Sequence, residues 1–406
     1  MTATIHAGDA LTRRQKLVYI LILGMLTALG PFTIDLYLPA LPLLQRDLQT
    51  SATLVTLTLT ATTIGFAVGQ LVVGPFSDKA GRRLPLILAT AVHVLASIGA
   101  ASSTDITILG IFRVLQGIGA AGGGVVAMAM VRDLFSGYPL VRMFSRMALV
   151  NGMAPILAPV IGSQLLGIMR WPGIFWFLAS YGVVVLLAAI FLIVETLPRE
   201  QRRGSGTTVL QRYRIVLSDR IFVGMLLIGG LNFGGLFTYL SASPFLFQNV
   251  YGFSPQLYGL LFCVNSVGIV LGVQSAARVL RRLGPQWVVA GATCLQLVAA
   301  VLIVVFDQWG LGIWGVMVPL WFYILATGFM FPCIQVLALA NHGAQAGTAA
   351  SLLGAATFGF AGILSPVVGA LGVATSTPMG AVMAACVALA IASLWVIVRP
   401  RTVPPL

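Results

Sequence analysis

The sequence predicts an all-α membrane protein with twelve transmembrane helices, arranged as two six-helix pseudo-repeats with both termini in the cytoplasm. Of its 406 residues, 59% are hydrophobic and only 8% are charged, whereas a soluble domain carries roughly 25% charged residues. The mean hydropathy is +1.01. So few charges do not cover a water-facing surface, and a soluble multidomain enzyme is therefore excluded. Long apolar stretches and a one-sided distribution of basic residues complete the prediction.

The apolar stretches define the twelve predicted spans. Each is close to the roughly 20 residues that a helix needs to cross about 30 Å of hydrocarbon. The first is too long for the apolar core of a signal peptide, so we expect it to stay in the mature protein. The spans lie near residues 17–39, 52–75, 84–104, 106–130, 144–167, 174–194, 221–247, 256–278, 286–306, 311–335, 346–370 and 377–398.

The net charge of +13 reflects membrane topology and not a nucleic-acid surface. With the N-terminus in the cytoplasm, 20 of the 23 Lys and Arg residues fall on the cytoplasmic side. Arg46 and Arg170 fall on the other side, and Arg113 lies within a span. The longest polar stretch divides the spans into six and six. We therefore predict a cytoplasmic tail (1–16), an N-terminal bundle (17–197), a cytoplasmic linker (198–220), a C-terminal bundle (221–398) and a cytoplasmic tail (399–406).

Two correspondences indicate that the halves repeat. The segment Leu-Ala-Pro-Val-Ile-Gly at 157–162 matches Leu-Ser-Pro-Val-Val-Gly at 364–369, and the Arg-Arg pair at 82–83 matches the pair at 281–282. Both offsets are close to half of the chain length. Parallel six-helix repeats of this kind form transporters whose substrate site lies near mid-membrane.

Two charges lie inside predicted spans. Nine of the ten acidic residues fall in loops, in a tail or at span edges, but Asp35 lies in the first span, and Arg113 lies in the fourth. Each costs at least ~2.5–3.5 kcal/mol to insert, so each is a candidate for function. Both are expected in the outer half at similar depth; whether they touch stays open. We expect His93, in the third span, to make a hydrogen-bonded helix contact.

The functional hypothesis is that Asp35 takes up and releases a proton. Burial raises the pKa of a carboxyl group, and a nearby cation lowers it. A carboxyl whose exposure and partner change between two conformations loads a proton on one side of the membrane and releases it on the other. Arg113 would tune this site. The alternative is a static ion pair that fixes helix packing.

The segment Gly-Pro-Phe-Ser-Asp-Lys-Ala-Gly-Arg-Arg at 74–83 resembles the major facilitator signature GxLaDrxGrr. Its glycines allow a tight turn, and its arginines are placed to pair with an acid at the end of the fourth span. The resemblance implies a latch that holds the cytoplasmic side shut. The expected latch residues are Gly74, Asp78, Gly81, Arg82, Arg83 and Asp133.

Two further motifs resemble this family. The segment beginning at Arg113 resembles RxxQGxgaa, in which the arginine is membrane-embedded. The fifth span resembles the antiporter motif gxxxGPxxGG through Gly152, Pro155, Pro159 and Gly162, with departures at 158 and 163. Glycine and proline at such spacings let helices approach and bend, so close helix packing alone also accounts for them.

The segment Thr-Ile-Asp-Leu-Tyr-Leu-Pro-Ala-Leu-Pro at 33–42 is similar to the Bcr/CflA group of twelve-helix drug/proton antiporters. The resemblance covers the N-terminal half through its motifs and the C-terminal half only in layout. It implies a multi-pass protein of a bacterial cytoplasmic (inner) membrane, with Asp35 as a protonation site. Some relatives carry a second acid where this chain has Thr27, which leaves the proton stoichiometry open.

The family layout implies a substrate cavity lined mainly by spans 1, 4, 7 and 10. Polar or aromatic residues on these spans and their neighbours are candidates for the lining. For each of them the alternative is a hydrogen bond between helices, worth ~0.6 kcal/mol on average in membranes. The candidates are Tyr37, Asn151, Asn232, Tyr239, Asn265, Tyr323 and Gln335.

The predicted function is proton-coupled efflux of small amphipathic compounds, antibiotics among them, by alternating access. We expect no cofactor and no metal, since the proton gradient drives transport. The expected partners are the substrate, protons and membrane lipid, without nucleic acid, for a monomeric protein. A transporter of a small metabolite (sugar, peptide or amino-acid derivative) is the main alternative, followed by a channel or sensor. An enzyme is disfavoured, because the three histidines lie far apart and build no catalytic cluster.

Overall fold

The computed structural model describes residues 12–135, 137–198, 202, 209–342 and 346–403. Every regular element within these residues is helical. Short 3₁₀ segments cover Leu38–Ala40 and Pro400–Thr402, and π segments cover Leu246–Val250 and Leu394–Val398. The α-helices are α1 (Arg13–Asp35), α2 (Leu41–Asp47), α3 (Ala52–Ala80), α4 (Arg83–Ala101), α5 (Ile106–Leu134), α6 (Gly137–Leu165), α7 (Pro172–Leu192), α8 (Val209–Leu217), α9 (Arg220–Phe245), α10 (Pro255–Leu283), α11 (Pro285–Gln308), α12 (Gly312–Leu339), α13 (Ala346–Leu371) and α14 (Thr377–Ser393).

The helices confirm the predicted all-helical membrane fold. Within the described residues, eleven segments are long and apolar enough to cross a membrane. In the fifth predicted span, Met153–Leu165 is a shorter apolar stretch of α6, and the side chains of residues 148–152 just before it lie outside the described set. The cytoplasmic location of both termini stays a prediction.

Several helices differ in their bounds from the predicted spans. Helix α1 ends at Asp35 and a turn follows, although the apolar segment as a whole runs from Arg14 to Asp47. Pro39 has no N–H group, so the carbonyl of Asp35 lacks the donor that would extend the helix. The second span runs on to Ala80 instead of residue 75. Gly74 therefore lies inside α3 and not in a turn.

Helix packing divides the chain into two compact units. Unit 1 comprises Met1–Tyr37 and Ile64–Gly206, and unit 2 comprises Leu38–Thr63 and Thr207–Leu406. In unit 1, α1 packs on α5, and α4 packs on α5 and α7. In unit 2, α9 packs on α12, and α11 packs on α12 and α14. These pairings are equivalent under the predicted repeat, although the predicted domain boundaries themselves stay a prediction.

Close backbone contact holds α3 to α5 inside unit 1. A Cβ atom built on Gly65 would lie 2.1 Å from the carbonyl oxygen of Val114 and 3.1 Å from the Cα atom of Gly117. A side chain at position 65 therefore forces the two helices apart. Small residues at such crossings allow the close packing on which helix association in membranes depends.

We expect Gly65→Ala to destabilise the protein by about 1–3 kcal/mol, as overpacking of a tight contact does. Gly110 is a matched control on α5, because a Cβ atom there meets nothing within 4 Å. Gly110→Ala should leave stability unchanged or slightly raise it through helix propensity. Thermal unfolding of the detergent-purified proteins measures both. Equal midpoints for the two variants would contradict the packing argument.

Candidate functional site

Arg113, on α5, is fully buried in unit 1. Its Nη1 atom donates to the backbone oxygen of Thr33 at 2.9 Å and to Oε1 of Gln116 at 2.7 Å. The guanidinium carbon lies 4.6 Å from the ring centroid of Tyr37 and 5.6 Å from that of Phe175. Carbonyl oxygens and aromatic faces therefore stabilise this cation. Because α1 ends two residues after Thr33, the cation also complements the negative end of the helix dipole.

The contacts of Gln116 continue into α4. Its Nε2 atom donates to Oγ of Ser97 at 2.8 Å, and Ser97 donates to the backbone oxygen of His93 at 2.7 Å. Nε2 of His93 lies 2.9 Å from Oγ1 of Thr33. The hydroxyl of Thr33 donates its one proton to the carbonyl of Leu29 at 2.6 Å. His93 must therefore be the donor to Thr33, which places its proton on Nε2.

These bonds close into a ring that begins and ends at Thr33. The ring, defined by Thr33, His93, Ser97, Gln116 and Arg113, joins α1, α4 and α5. His93 and Ser97 are four residues apart and Arg113 and Gln116 three, so each pair shares one helix face. The ring satisfies polar groups that would be costly to leave unpaired in a membrane. His93 makes the hydrogen-bonded helix contact expected from the sequence.

Asp35 lies outside the ring, in the last turn of α1, and is 7% exposed. Within the part of the chain that the structure describes, its carboxylate makes no hydrogen bond and no ion pair. Arg113 thus reaches α1 two residues before Asp35 without pairing with it. An unpaired buried carboxylate is costly when ionised, and binding a proton removes that cost.

Arg113 keeps unused donors. Its Nε and Nη2 atoms have no hydrogen-bond partner among the described residues. Both protons on Nη1 are already committed to Thr33 and Gln116. Two nitrogens of one guanidinium are therefore free to meet a further acceptor.

We expect Gln116→Leu to destabilise the protein by about 1–3 kcal/mol, because a buried cation loses one of its two hydrogen-bond acceptors. Gln164→Leu, at an exposed position on α6, is the matched control and should change stability by less than ~0.5 kcal/mol. Thermal unfolding without ligand measures both. If the two variants unfold alike, the ring does not hold these helices together.

A second polar network surrounds Arg82, between α3 and α4. Arg82 is 8% exposed; its Nε atom lies 2.8 Å from Oδ2 of Asp133, and its Nη1 atom contacts Asp78 and Ser77. Its backbone N–H donates to Oε1 of Glu195 at 2.8 Å. Burial lowers the pKa of Arg82, but the hydrogen bonds with Asp133 and Asp78 outweigh it, so the pKa lies above its ordinary value. The guanidinium stays charged and joins α3 to α5.

The turn before Arg82 requires glycine. Gly81 has φ +95°, and a Cβ atom there would lie 2.4 Å from Oε2 of Glu195. Gly74 has no such requirement, since a Cβ atom would make an ordinary 3.5 Å contact with Val125. Arg83 donates from Nη2 to a backbone oxygen of α7 at 2.6 Å. The role of these residues as a latch stays a prediction.

Sequence reasoning did not assign Glu195 to this network. Its carboxylate accepts from the backbone N–H groups of Arg82, Arg83 and Leu197, and it pairs with Arg202 at 3.4 Å. Burial raises the pKa of Glu195, but these hydrogen bonds and the Arg202 charge have the larger effect, so the pKa lies below its usual range. The signal that could have found it is its position directly after the sixth span, on the same side as the arginine loop.

We expect Glu195→Gln to destabilise the protein by about 1 kcal/mol at pH 7. A carboxyl with a lowered folded pKa contributes stability above its unfolded pKa and loses it as pH falls through the folded value. The difference between wild type and variant should therefore be largest above the unfolded pKa of about 4.3 and should shrink as pH falls below it. A difference that is constant with pH would contradict the ionised network.

The antiporter-like motif lies in α6. Pro155 and Pro159 are both inside this helix. A Cβ atom on Gly162 would lie 2.1 Å from the backbone oxygen of Leu36, so α6 touches the chain one residue after Asp35. Gly152 falls among the residues of α6 whose side chains the structure does not describe.

The predicted cavity residues are mostly engaged between helices. Asn265 donates to the hydroxyl of Tyr239 at 3.1 Å, and Gln296 donates to Asn232 at 2.8 Å. Gln335 is exposed on α12. The side chain of Asn151 is outside the described set. The buried members are Tyr37, Asn232, Tyr239, Asn265 and Tyr323.

An aromatic cluster that the sequence reasoning missed lies in unit 2. The ring of Phe233 on α9 lies 5.2 Å from Phe237, 6.3 Å from Phe331 on α12 and 5.3 Å from Phe358 on α13. Phe233, Phe331 and Phe358 are partly exposed. Phenylalanine is common in apolar spans, so the sequence carried no signal that set these residues apart.

Repeated helix pairings and buried charges inside apolar helices are typical of a multi-pass membrane transporter. The profile of the Major Facilitator Superfamily matches residues 21–366. The chain belongs to this superfamily.

Several relatives share nearly the whole chain. An uncharacterized MFS-type transporter, YdgK of Bacillus subtilis, is 36% identical over 92% of this chain and 93% of its own. A bicyclomycin resistance protein homolog of Haemophilus influenzae is 29% identical over 93% of this chain and 96% of its own. Multidrug resistance protein D of Escherichia coli is 28% identical over 84% and 86%, respectively. These relatives confirm the resemblance to the Bcr/CflA group.

Solved structures share the fold. A D-xylose–proton symporter matches with a TM-score of 0.76 and 17% identity, over 96% of this chain and 99% of its own. The nucleoside transporter NupG matches with a TM-score of 0.71 and 14% identity, over 95% of this chain and 99% of its own. At such identities the likeness extends to the fold alone.

Proposed function

We propose that this transporter exports small amphipathic compounds, antibiotics among them, across a bacterial inner membrane in exchange for protons. The names of the relatives, which refer to bicyclomycin and multidrug resistance, support drug export. The single observation that carries proton coupling is Asp35, a buried carboxylate without a partner among the described residues. No cofactor is needed, because the proton gradient supplies the energy.

In this proposal Asp35 binds the coupling proton. The protonated acid is neutral and suits its buried position, whereas the ionised acid needs a cation. Nε and Nη2 of Arg113 are the unused donors within the same bundle. Arg113 would pair with Asp35 after the proton has left, while its Nη1 atom stays on Thr33 and Gln116. The change of partner couples proton release to a change of conformation.

The Arg82 network would act as the latch. Arg82, Asp133, Asp78 and Glu195 form a charged cluster at one end of unit 1. Such a cluster is stable in one arrangement and costly to disrupt, because breaking it leaves charged groups without partners. Holding or releasing it would favour one of the two transport conformations.

Substrates would contact apolar and aromatic surface. The partly exposed rings of Phe233, Phe331 and Phe358 offer such surface in unit 2. Apolar pockets bury most of a drug-sized ligand, and they discriminate weakly between ligands of similar size. This property suits the export of varied lipophilic compounds.

The test uses purified protein in proteoliposomes with an imposed pH gradient. We expect chloramphenicol, or another member of a panel of lipophilic drugs, to stimulate proton flux by the wild type. Asp35→Asn should reduce this flux at least tenfold, because the amide cannot carry the proton. Asp35→Glu should retain part of it. Asp105→Asn is the matched control: Asp105 is exposed at the start of α5, where asparagine caps a helix equally well.

Each other outcome has a definite meaning. Drug-driven proton flux that survives Asp35→Asn would refute the assignment of the coupling site while leaving drug export intact. Proton flux that responds to a sugar, a peptide or an amino-acid derivative, but to no drug, would refute drug export and support transport of a metabolite.

A further inference from the structure

One end of unit 2 carries exposed arginines for which the described residues provide no acidic partner. This end contains the starts of α9 and α11 and the ends of α10 and α14. The described acid here, Asp219, already accepts from the N–H of Ile221 at 2.8 Å and contacts His342 at 3.1 Å. Within the described residues, no ion pair joins a carboxylate to any arginine at this end. The exposed arginines are Arg214, Arg220, Arg278, Arg281, Arg282, Arg399 and Arg401.

Unit 1 differs in this respect. Arg82 pairs with two aspartates, and Arg202 pairs with Glu195. Unit 1 thus supplies counter-ions for Arg82 and Arg202, whereas no described acid pairs with the arginines at this end of unit 2. The charge pattern therefore indicates an anionic partner.

A pair of tryptophans marks the membrane interface at this end. Trp287, in the first turn of α11, and Trp395, in the π segment after α14, have ring centroids 6.4 Å apart. They are 41% and 47% exposed. Exposed tryptophans concentrate at the level of the lipid headgroups. The arginine end of unit 2 therefore lies where phosphate groups are found.

The chain after Trp395 turns at Arg399 and is held against the start of α9. Arg399 has φ +56°, which few non-glycine residues adopt, and it turns the chain into a 3₁₀ segment. Arg220, at the start of α9, donates to Oγ1 of Thr402 at 2.9 Å and fixes this segment. A backbone held in a costly conformation is a reason to look for a function.

We propose that this end of unit 2 binds the phosphate-bearing headgroups of anionic membrane lipids. Arg281 and Arg282, at the end of α10, and Arg399 and Arg401 supply guanidinium groups, which match phosphate in geometry and charge. The tryptophan pair supports the upper part of the acyl chains. Near an anionic membrane, each such arginine strengthens binding about fivefold. The site does not depend on the function proposed above.

The experiment compares lipids by the concentration that gives half-maximal thermal stabilisation of the full-length protein in detergent. Phosphatidylglycerol should act at a concentration at least about 25-fold lower than phosphatidylcholine. The double variant Arg281→Gln with Arg282→Gln should need about 25-fold more phosphatidylglycerol, because each arginine contributes about fivefold. The corresponding lysine double variant, which keeps the charge, should recover most of the effect.

The matched control removes the same charge from unit 1. Arg142→Gln with Arg146→Gln, on α6, should change the phosphatidylglycerol requirement less than about twofold. If both double variants raised the phosphatidylglycerol requirement equally, lipid binding would depend on a diffuse positive surface and not on a defined site. Equal action of phosphatidylcholine, or of inorganic phosphate alone, would overturn the proposal of an anionic-lipid site.

Discussion

The buried guanidinium of Arg113 is the constraint on which the interior of unit 1 depends. A cation inside a membrane helix needs acceptors, and the ring supplies them from a backbone carbonyl and an amide side chain. The same bonds tie three helices together. These acceptors hold the guanidinium without Asp35, whose carboxylate has no partner among the described residues.

The backbone near Asp35 is equally constrained. Helix α1 ends at Asp35, since Pro39 cannot donate to its carbonyl, and α6 touches the chain at Leu36 through Gly162. The chain passes from unit 1 to unit 2 immediately afterwards, between Tyr37 and Leu38. Two backbone constraints within unit 1 therefore meet at Asp35 and Leu36.

Much of the fold followed from the sequence because the physics of a membrane span is simple. Length and apolarity identify a span, and a charge within it stands out, as Asp35 and Arg113 did. The rotation of each helix about its axis cannot be read from length and apolarity, because a shift of one residue turns a side chain by about 100°. That is why the sequence left open whether Asn232, Tyr239 and Asn265 line a cavity or bond between helices; they hydrogen-bond between helices here, and a lining role stays a prediction. It is also why the lack of an ion pair at Asp35 could not be predicted. Glu195 escaped notice because its partners are mainly backbone N–H groups, which no side-chain pattern reveals.

The central claim is that Asp35 carries the proton that is exchanged for the transported drug. Infrared difference spectroscopy of the reconstituted protein observes this proton directly through the stretching band of a protonated carboxyl group. The account predicts that the wild type shows such a band, that chloramphenicol or another transported drug diminishes it, and that Asp35→Asn lacks it. A band that persists unchanged in Asp35→Asn, or a wild-type band that no transported drug affects, would contradict the account.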